Sequence, residues 1–358
     1  MSVSRAASRF APLSLLVAGL ASAQIQVPQF DLDHLEVDSS AAGSLVVGTG
    51  EILPVGAVRF SLAGDYQNNP YRYFDATGAV GSIISDRYTV HVVGGFAPVE
   101  WLEIGLDLPI VASQTGGVEV SLPGLSEPVR RALGSPTLSA RGALFSQAKG
   151  APFDVAFQLG AKIPIGSGLA FTSDGKIGLS PKLMIGRNLD WARAGIELGA
   201  HWRPVTQTVN DSGDPIIDDL GTSLLVAGVL STGPQTGLRG ELSGRTYITT
   251  AGKVGSVELL LGARYPIAPN MEVYALAGPG LGQAPGTPQW RVMVGAAFGN
   301  GQGITGTPNP ADAAAGAQPT ATQPQPPATE QPAPSNPFPP FTPPPTTYPP
   351  QAYPPQQA

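Results

Sequence analysis

Apolar residues alternate with polar or small residues in about twelve stretches of roughly ten residues between Gly56 and Phe298. From Leu102 to Ile110 every second residue is Leu or Ile, whereas Glu103 and Asp107 occupy alternate positions. Because successive side chains of a strand point to opposite sides, one face suits lipid and the other suits water. The pattern predicts an all-β chain that folds as a transmembrane antiparallel β-barrel of about 12 strands.

The composition supports a barrel over a soluble domain. Charged residues make up 13% of the chain, about half of the usual share for a soluble protein. No apolar run is long enough for a membrane-spanning helix, so a membrane form must be a closed barrel. The chain has no Cys, which excludes disulfides and thiolate metal sites. A net charge of -6 without a basic run argues against nucleic-acid binding.

The first residues have the pattern of a secretory signal. Arg5 and Arg9 precede an apolar stretch, Phe10 to Leu20, and Ala21 and Ala23 flank Ser22 in a cleavage pattern of small residues. We therefore expect residues 1–23 to be a cleaved signal peptide and the mature protein to reside in the bacterial cell outer membrane.

A lead-in segment, residues 24–55, precedes the barrel. It carries an acidic patch and a short apolar piece, Ser44 to Val47. Two expectations remain open: the segment folds inward as a plug, or its second half pairs as an extra strand. The acidic patch consists of Asp31, Asp33, Glu36 and Asp38.

The barrel is expected to occupy residues 56–299. The links between its consecutive strands, numbered in chain order, alternate in length. Odd-numbered links are mostly long, even-numbered links are short, and the link at 248–252 is an exception. Long outer loops and short periplasmic turns are typical of outer-membrane barrels. The first strand should therefore begin, and the last strand should end, on the periplasmic side. Strands are expected near 57–66, 85–95, 101–112, 136–147, 153–164, 176–186, 191–203, 220–230, 236–247, 253–265, 271–279 and 289–298.

Aromatic residues at strand ends indicate membrane interfaces, because an indole or phenol has an apolar body and a polar group. The residues expected in these belts are Trp101, Trp191, Trp202, Tyr247, Tyr265 and Trp290.

The inward face should carry charges of both signs. Two expectations remain open: these charges pair across the lumen and close much of it, or they line an aqueous path. The expected lumen-lining residues are Arg59, Arg87, His91, Glu103, Asp107, Arg141, Asp154, Lys162, Lys182, Arg193, Glu197, His201, Arg239, Glu241, Arg245, Glu258, Arg264 and Arg291.

The C-terminal segment, residues 300–358, is rich in Pro, Gln, Thr and Ala and nearly uncharged. It cannot bury enough apolar surface to fold, so a disordered, extended periplasmic tail is expected. Its repeated Tyr-Pro-Pro at 348–350 and 353–355 leaves two possibilities, an inert linker or a binding element.

Three stretches resemble known outer-membrane barrels: 96–109 (FAPVEWLEIGLDLP), 134–142 (GSPTLSARG), and 159–166 (LGAKIPIG) with 175–183 (GKIGLSPKL). They are similar to the barrel half of OmpA-like proteins and to the transporter-like barrels of aromatic-compound degradation pathways. The resemblance spans roughly residues 30–298 and implies an outer-membrane barrel that acts as a passive transporter. The peptidoglycan-binding domain that usually follows in OmpA-like proteins is replaced here by the Pro-rich tail.

No catalytic constellation is expected. His34, His91 and His201 have no Ser or acidic partner placed near them by the pattern, so an enzyme is not predicted. The loop Asn210–Asp219 clusters carboxylates but lacks the full calcium-loop spacing, so a solvated turn is expected. We predict no metal site and no cofactor.

The sequence therefore predicts a passive channel or transporter for small solutes in contact with outer-membrane lipid. The alternative is a structural or interaction barrel with a closed lumen, whose tail engages the cell wall or a periplasmic partner.

Overall fold

The computed structural model describes residues 30–75, 78–116, 128–189, 191–203, 206–209, 215–218, 222–232, 237–249 and 255–300. The expected signal peptide and the expected Pro-rich tail lie outside the described residues, as do the side chains of the acidic loop at 210–219. No helix in the described part of the chain is long and apolar enough to cross a membrane.

The described residues form fifteen strands, and twelve of these strands complete a barrel. The main sheet has thirteen strands, of which the two-residue β4 only extends one side of β3. The strands are β1 Val58–Asp75, β2 Gly78–Val99, β3 Leu102–Gly116, β4 Ala132–Leu133, β5 Thr137–Phe145, β6 Asp154–Lys162, β7 Gly178–Asn188, β8 Ala192–His201, β9 Thr206–Val209, β10 Pro215–Asp218, β11 Ser223–Thr232, β12 Arg239–Thr249, β13 Gly255–Ala268, β14 Met271–Gly282 and β15 Trp290–Gly299.

Pairing between the first and last strands closes the sheet. β1 runs antiparallel to β15 from Arg59 opposite Gly299 to Asn68 opposite Trp290. Consecutive barrel strands pair antiparallel around the remaining circumference, and β9 and β10 form a separate hairpin between β8 and β11. Closure leaves no open edge, which is the condition for crossing lipid with strands. The predicted fold class is confirmed.

The first hairpin extends further than the sequence predicts. The sequence predicts a long link over residues 67–84 between the first two strands. Instead β1 and β2 stay paired as far as Asp75 opposite Gly78. The register shifts between Asn68 and Tyr71, and Asn69 adopts a positive φ of 48°. This bulge accommodates Pro70, so the strand continues past it.

Pro181 interrupts one ladder of β7, as the missing N–H of proline requires. On the β6 side it pairs opposite Leu159. On the β8 side the continuous ladder begins only at Lys182, opposite Gly199.

The two faces of the wall differ as the alternation predicts. On β11, Leu224 and Val226 are exposed, whereas Leu225 and Ala227 are buried. Large apolar side chains are exposed in the same way on the other barrel strands. An outward apolar band around a closed sheet is the surface that a bilayer core covers.

The barrel has a proximal end, where β1 begins and β15 ends, and a distal end opposite it. The turns after β2, β5, β7, β11 and β13 lie at the proximal end, and the links after β1, β3, β6, β8, β12 and β14 lie at the distal end.

Candidate functional site: the lumen

Residues 30–57, here called the inner segment, run through the lumen from the distal to the proximal end. Near the distal end, Leu32 N donates to the carbonyl oxygen of Phe171 at 3.1 Å. At the proximal end, Gly56 N donates to the carbonyl oxygen of Ala97 at 2.7 Å. Between them the segment forms no strand of the barrel sheet. It therefore lies inside the barrel without contributing to its closure.

Side-chain carboxylates satisfy the backbone of the inner segment, which has no regular secondary structure of its own. Asp38 Oδ1 accepts from Ser40 N at 2.9 Å and from Ala41 N at 2.8 Å. On the wall, Glu197 accepts from Gly48 N at 2.6 Å, and Glu241 Oε1 accepts from Leu45 N at 3.1 Å. Buried backbone N–H groups need such acceptors when no ladder supplies them.

The acidic patch of the inner segment is paired with cationic side chains from separate strands of the wall. Nζ of Lys162 on β6 lies 3.0 Å from Asp31 Oδ2. Lys182 and Arg141 pair with the last two acids of the patch, Glu36 and Asp38. Their distances are 2.6 Å from Lys182 Nζ to Glu36 Oε2 and 2.7 Å from Arg141 Nη2 to Asp38 Oδ2.

A second set of ion pairs joins wall strands to one another. Glu272 on β14 lies 2.9 Å from both Arg59 and Arg239. Arg291 on β15 contacts Asp65 at 2.5 Å and Glu258 at 3.1 Å. These side chains are buried, and a buried charge is tolerated only when it is paired and hydrogen-bonded. Of the two expectations for the lumen, this structure matches charges that pair across it.

The surrounding charges shift the pKa values of the inner segment. Burial raises the pKa of the Asp38 carboxyl, but the Arg141 guanidinium outweighs burial and sets it at about 2. For Glu36, burial also raises the pKa, and Lys182 brings it below its usual value. Burial and the charge of Arg203 lower the pKa of His34 to about 3. At neutral pH Glu36 and Asp38 are therefore ionised and His34 is neutral.

One side of the lumen is apolar rather than polar. Leu45, Val46 and Val47 of the inner segment belong to a buried cluster with wall residues of β11 and β13 to β15. The wall members include Leu225, Val229, Leu260, Leu276 and Met293. Burial of this apolar surface stabilises the inner segment in the lumen in addition to the ion pairs.

A cavity of about 30 Å³ lies beside the central ion pairs and is lined by Glu36, Asp38, Arg141, Lys182 and Glu197 among other residues. That volume holds about two water molecules.

The structure buries every expected lumen residue except Asp107, whose side chain is 12% exposed. His91 Nδ1 and Asp107 Oδ1 are 3.1 Å apart. The expectation that the histidines lack an acidic partner is therefore wrong for His91. The remaining residues of the set, all buried, are Arg59, Arg87, Glu103, Arg141, Asp154, Lys162, Lys182, Arg193, Glu197, His201, Arg239, Glu241, Arg245, Glu258, Arg264 and Arg291.

Five of the six expected belt aromatics are exposed at the barrel rims, and Tyr247 is not. Tyr247 is buried, and its hydroxyl donates to the carbonyl oxygen of His34. Its assignment to the interface is wrong, because Tyr247 lies two residues from inward-facing Arg245 and must share its face. The exposed members are Trp101, Trp191, Trp202, Tyr265 and Trp290.

The sequence analysis misses two features of the lumen. Arg203 follows the end of β8, yet it is buried with Nη2 3.2 Å from His34 Nδ1. The apolar inward residues, such as Leu225 and Leu276, resemble the outward ones in type. Period-two alternation could have identified their face, since Leu225 stands between the exposed Leu224 and Val226.

The closed sheet, the apolar outer band and the exposed rim aromatics define an outer-membrane β-barrel protein. No family model matches the chain. No curated protein matches it either.

Solved structures of outer-membrane channels have a similar fold. An outer-membrane channel from Pseudomonas putida F1 aligns with a TM-score of 0.53 at 13% identity, over 74% of this chain and 100% of that one. The NanC porin aligns with a TM-score of 0.45 at 10% identity, over 67% of this chain and 98% of that one. The CymD monoaromatic hydrocarbon channel aligns with a TM-score of 0.37 at 9% identity, over 69% of this chain and 89% of that one. The first likeness shows a shared barrel fold, and the other two are weaker.

Proposed function

We propose that the protein is a passive channel for small solutes in the outer membrane, and that the inner segment is the plug of its lumen. The observation that carries this proposal is that the wall of the barrel and the filling of its lumen are formed by separate parts of the chain. Strand pairing alone closes the wall, and a segment outside the sheet fills the lumen. The plug can therefore move without opening the ladder.

The contacts that hold the plug favour a reversible arrangement. Three acids of the plug are neutralised by Lys162, Lys182 and Arg141. When the plug shifts, those three wall cations face the lumen and water can solvate them. A polar, charged wall is the lining of water-filled barrels. The resemblance to transporter-like barrels agrees with this function, and the resemblance to OmpA-like barrels stays a prediction.

A disulfide between the plug and the wall provides the test, because the chain has no Cys of its own. A Cβ at Gly195 on β8 would lie 3.2 Å from Thr49 Cβ, close to the roughly 3.8 Å of a disulfide. We expect the double variant Thr49→Cys, Gly195→Cys to show current steps in planar bilayers when reduced and none when oxidised. Thr49→Cys alone is the control and should conduct equally under both conditions.

Two results would contradict the proposal in different ways. Equal conductance of the oxidised and reduced double variant would show that solutes pass without movement of the plug. Silence of the natural chain and of the reduced variant across salts and voltages would instead favour the closed structural barrel.

A further inference from the structure

Three ligand-bearing side chains from separate elements converge on the wall of the lumen. Asp33 comes from the inner segment, Asp65 from β1 and His91 from β2. One ligand atom of each lies within 4.8 Å of the others, and the residues are 5%, 1% and 1% exposed. The site therefore offers carboxylate oxygens and an imidazole nitrogen as ligand atoms, all on buried side chains.

Each of these residues carries a buried polar atom without a hydrogen bond. Asp33 Oδ2, Asp65 Oδ1 and His91 Nε2 are buried without a hydrogen-bond partner. The other carboxylate oxygens are already engaged, since Arg291 Nη1 lies 2.5 Å from Asp65 Oδ2 and 3.9 Å from Asp33 Oδ1. Arg291 therefore holds the Asp65 carboxylate, Leu35 N donates to Asp33 Oδ1 at 3.2 Å, and each carboxylate keeps one oxygen without a hydrogen bond.

His91 is oriented for ligation. Its Nδ1 lies 3.1 Å from Asp107 Oδ1, and its Nε2 lies 3.5 Å from Asp33 Oδ2. A carboxylate on one imidazole nitrogen holds the ring, selects the tautomer and raises the basicity of the other nitrogen, as in many zinc sites. The other nitrogen, Nε2, is the one that lies near Asp33.

The charges of the surroundings leave room for a divalent cation. Four carboxylates meet here, those of Asp33, Asp65, Asp107 and Glu258. The Arg291 guanidinium contacts three of them, and the charge of Arg87 acts on Asp33 and Asp65. When His91 is neutral, as metal ligation requires, these four acids and two cations sum to a net charge of -2, which one divalent cation balances.

We propose that Asp33, Asp65 and His91 form a binding site for a divalent transition-metal ion of the zinc class. One imidazole with two carboxylates suits Zn²⁺ better than Ca²⁺, which takes oxygen ligands only. Ligand distances of about 2.0 to 2.2 Å require the three atoms to move closer together. Asp33 can follow, because its segment belongs to no strand of the barrel sheet. The ion would join the inner segment to β1 and β2, and binding does not depend on whether the barrel conducts.

Zinc titration of the purified full chain, without a histidine tag and after chelator treatment, tests the site. Calorimetry should show one Zn²⁺ per chain, with a higher unfolding temperature in the presence of zinc. Asp65→Asn is nearly isosteric and should weaken binding at least tenfold. Asp107→Asn should weaken it about 10- to 100-fold through the loss of ring orientation. Glu36→Gln is the matched control, an acid of the same segment paired with Lys182, and should bind zinc like the natural chain.

The rival arrangement is a protonated His91 held between Asp33 and Asp107 without a metal. Absence of zinc binding by the folded natural chain would overturn the proposal and favour this arrangement. Unchanged binding by both Asp65→Asn and His91→Gln would do the same by placing the zinc elsewhere. If His91→Gln does not fold, Asp33→Asn replaces it in this comparison.

Discussion

Nη2 of Arg141 on β5 lies 2.7 Å from Oδ2 of Asp38, and this pair joins the wall of the barrel to the inner segment. Both side chains are buried. Arg141 Nε also donates to Gln158 Oε1 at 2.9 Å, so its guanidinium is anchored on both sides. The pair couples the position of the segment to the wall.

Removal of one member of this ion pair should destabilise the protein, because the other charge stays buried without a partner. Arg141→Gln leaves Asp38 without its cation, so we expect the free energy of unfolding to fall by about 3–5 kcal/mol. The double variant Arg141→Gln, Asp38→Asn should lose less than the sum of the two single changes, because the residues are in contact. Urea unfolding in lipid vesicles, followed by Trp fluorescence, measures both effects.

An exposed ion pair serves as the control for that experiment. Lys149 Nζ lies 2.8 Å from Glu100 Oε2 at the proximal rim, with both side chains mostly exposed. Lys149→Ala should leave the unfolding transition unchanged, because water screens such pairs. Equal losses at Arg141 and Lys149 would show that the lumenal pair is not buried in the folded protein.

Charge on the outer face should be penalised by depth. Leu106 is exposed on β3 about five residues from the proximal rim, which places it near the middle of the apolar band. Leu106→Arg should cost about 2–4 kcal/mol, whereas Val99→Arg at the rim should cost about 0–1 kcal/mol. Unfolding in lipid vesicles distinguishes the two, and equal costs would contradict a membrane-facing surface.

Close approach of the inner segment to β7 depends on Gly186. A Cβ at this position would overlap the carbonyl oxygen of Thr49. Gly186→Ala should therefore cost about 1–3 kcal/mol through overpacking and increase protease cleavage of the inner segment. Gly228→Ala is the control, because its Cβ would meet nothing nearer than 3.8 Å. Indistinguishable proteolysis of the two variants would mean that the segment does not lie against β7.

Acid should loosen the inner segment, beginning with His34. Its Nδ1 lies 3.2 Å from Arg203 Nη2, and its Nε2 lies 2.7 Å from the carbonyl oxygen of Pro285. This geometry fits a neutral ring that accepts from Arg203 and donates to Pro285. Burial and Arg203 lower its pKa from 6.5 to about 3.

The sign of the pH effect follows from that shift. A folded-state pKa below the unfolded value means that the contribution of His34 is complete above pH 6.5 and declines as the pH falls towards 3. Asp38, with a pKa lowered from 3.8 to about 2, loses its contribution only below pH 3.8. Between pH 7 and pH 4 the unfolding temperature should therefore fall less steeply in His34→Gln than in the natural chain. Identical pH profiles would exclude His34 as the titrating group.

Much of the wall follows from local pattern. Twelve alternating stretches predict twelve barrel strands, because a period of two assigns each side chain to a face once the strand is known. The same rule places Arg245 and Tyr247 on one face of the strand. The prediction of Tyr247 at the membrane interface was wrong because it followed from the residue type and not from this period. The extension of β1 past Pro70 could not be predicted, since it depends on a bulge and on pairing with β2.

The sequence by itself determined the barrel, its two faces and the acidic character of the segment before it, because each is encoded in residues near one another along the chain. Only the tertiary structure decided what the lumen contains. Asp38 meets Arg141 and Asp33 meets His91 across long sequence separations, and no periodicity specifies which charges face each other. Closure of the sheet brings these residues together, since a buried charge needs a partner and the enclosed segment supplies one.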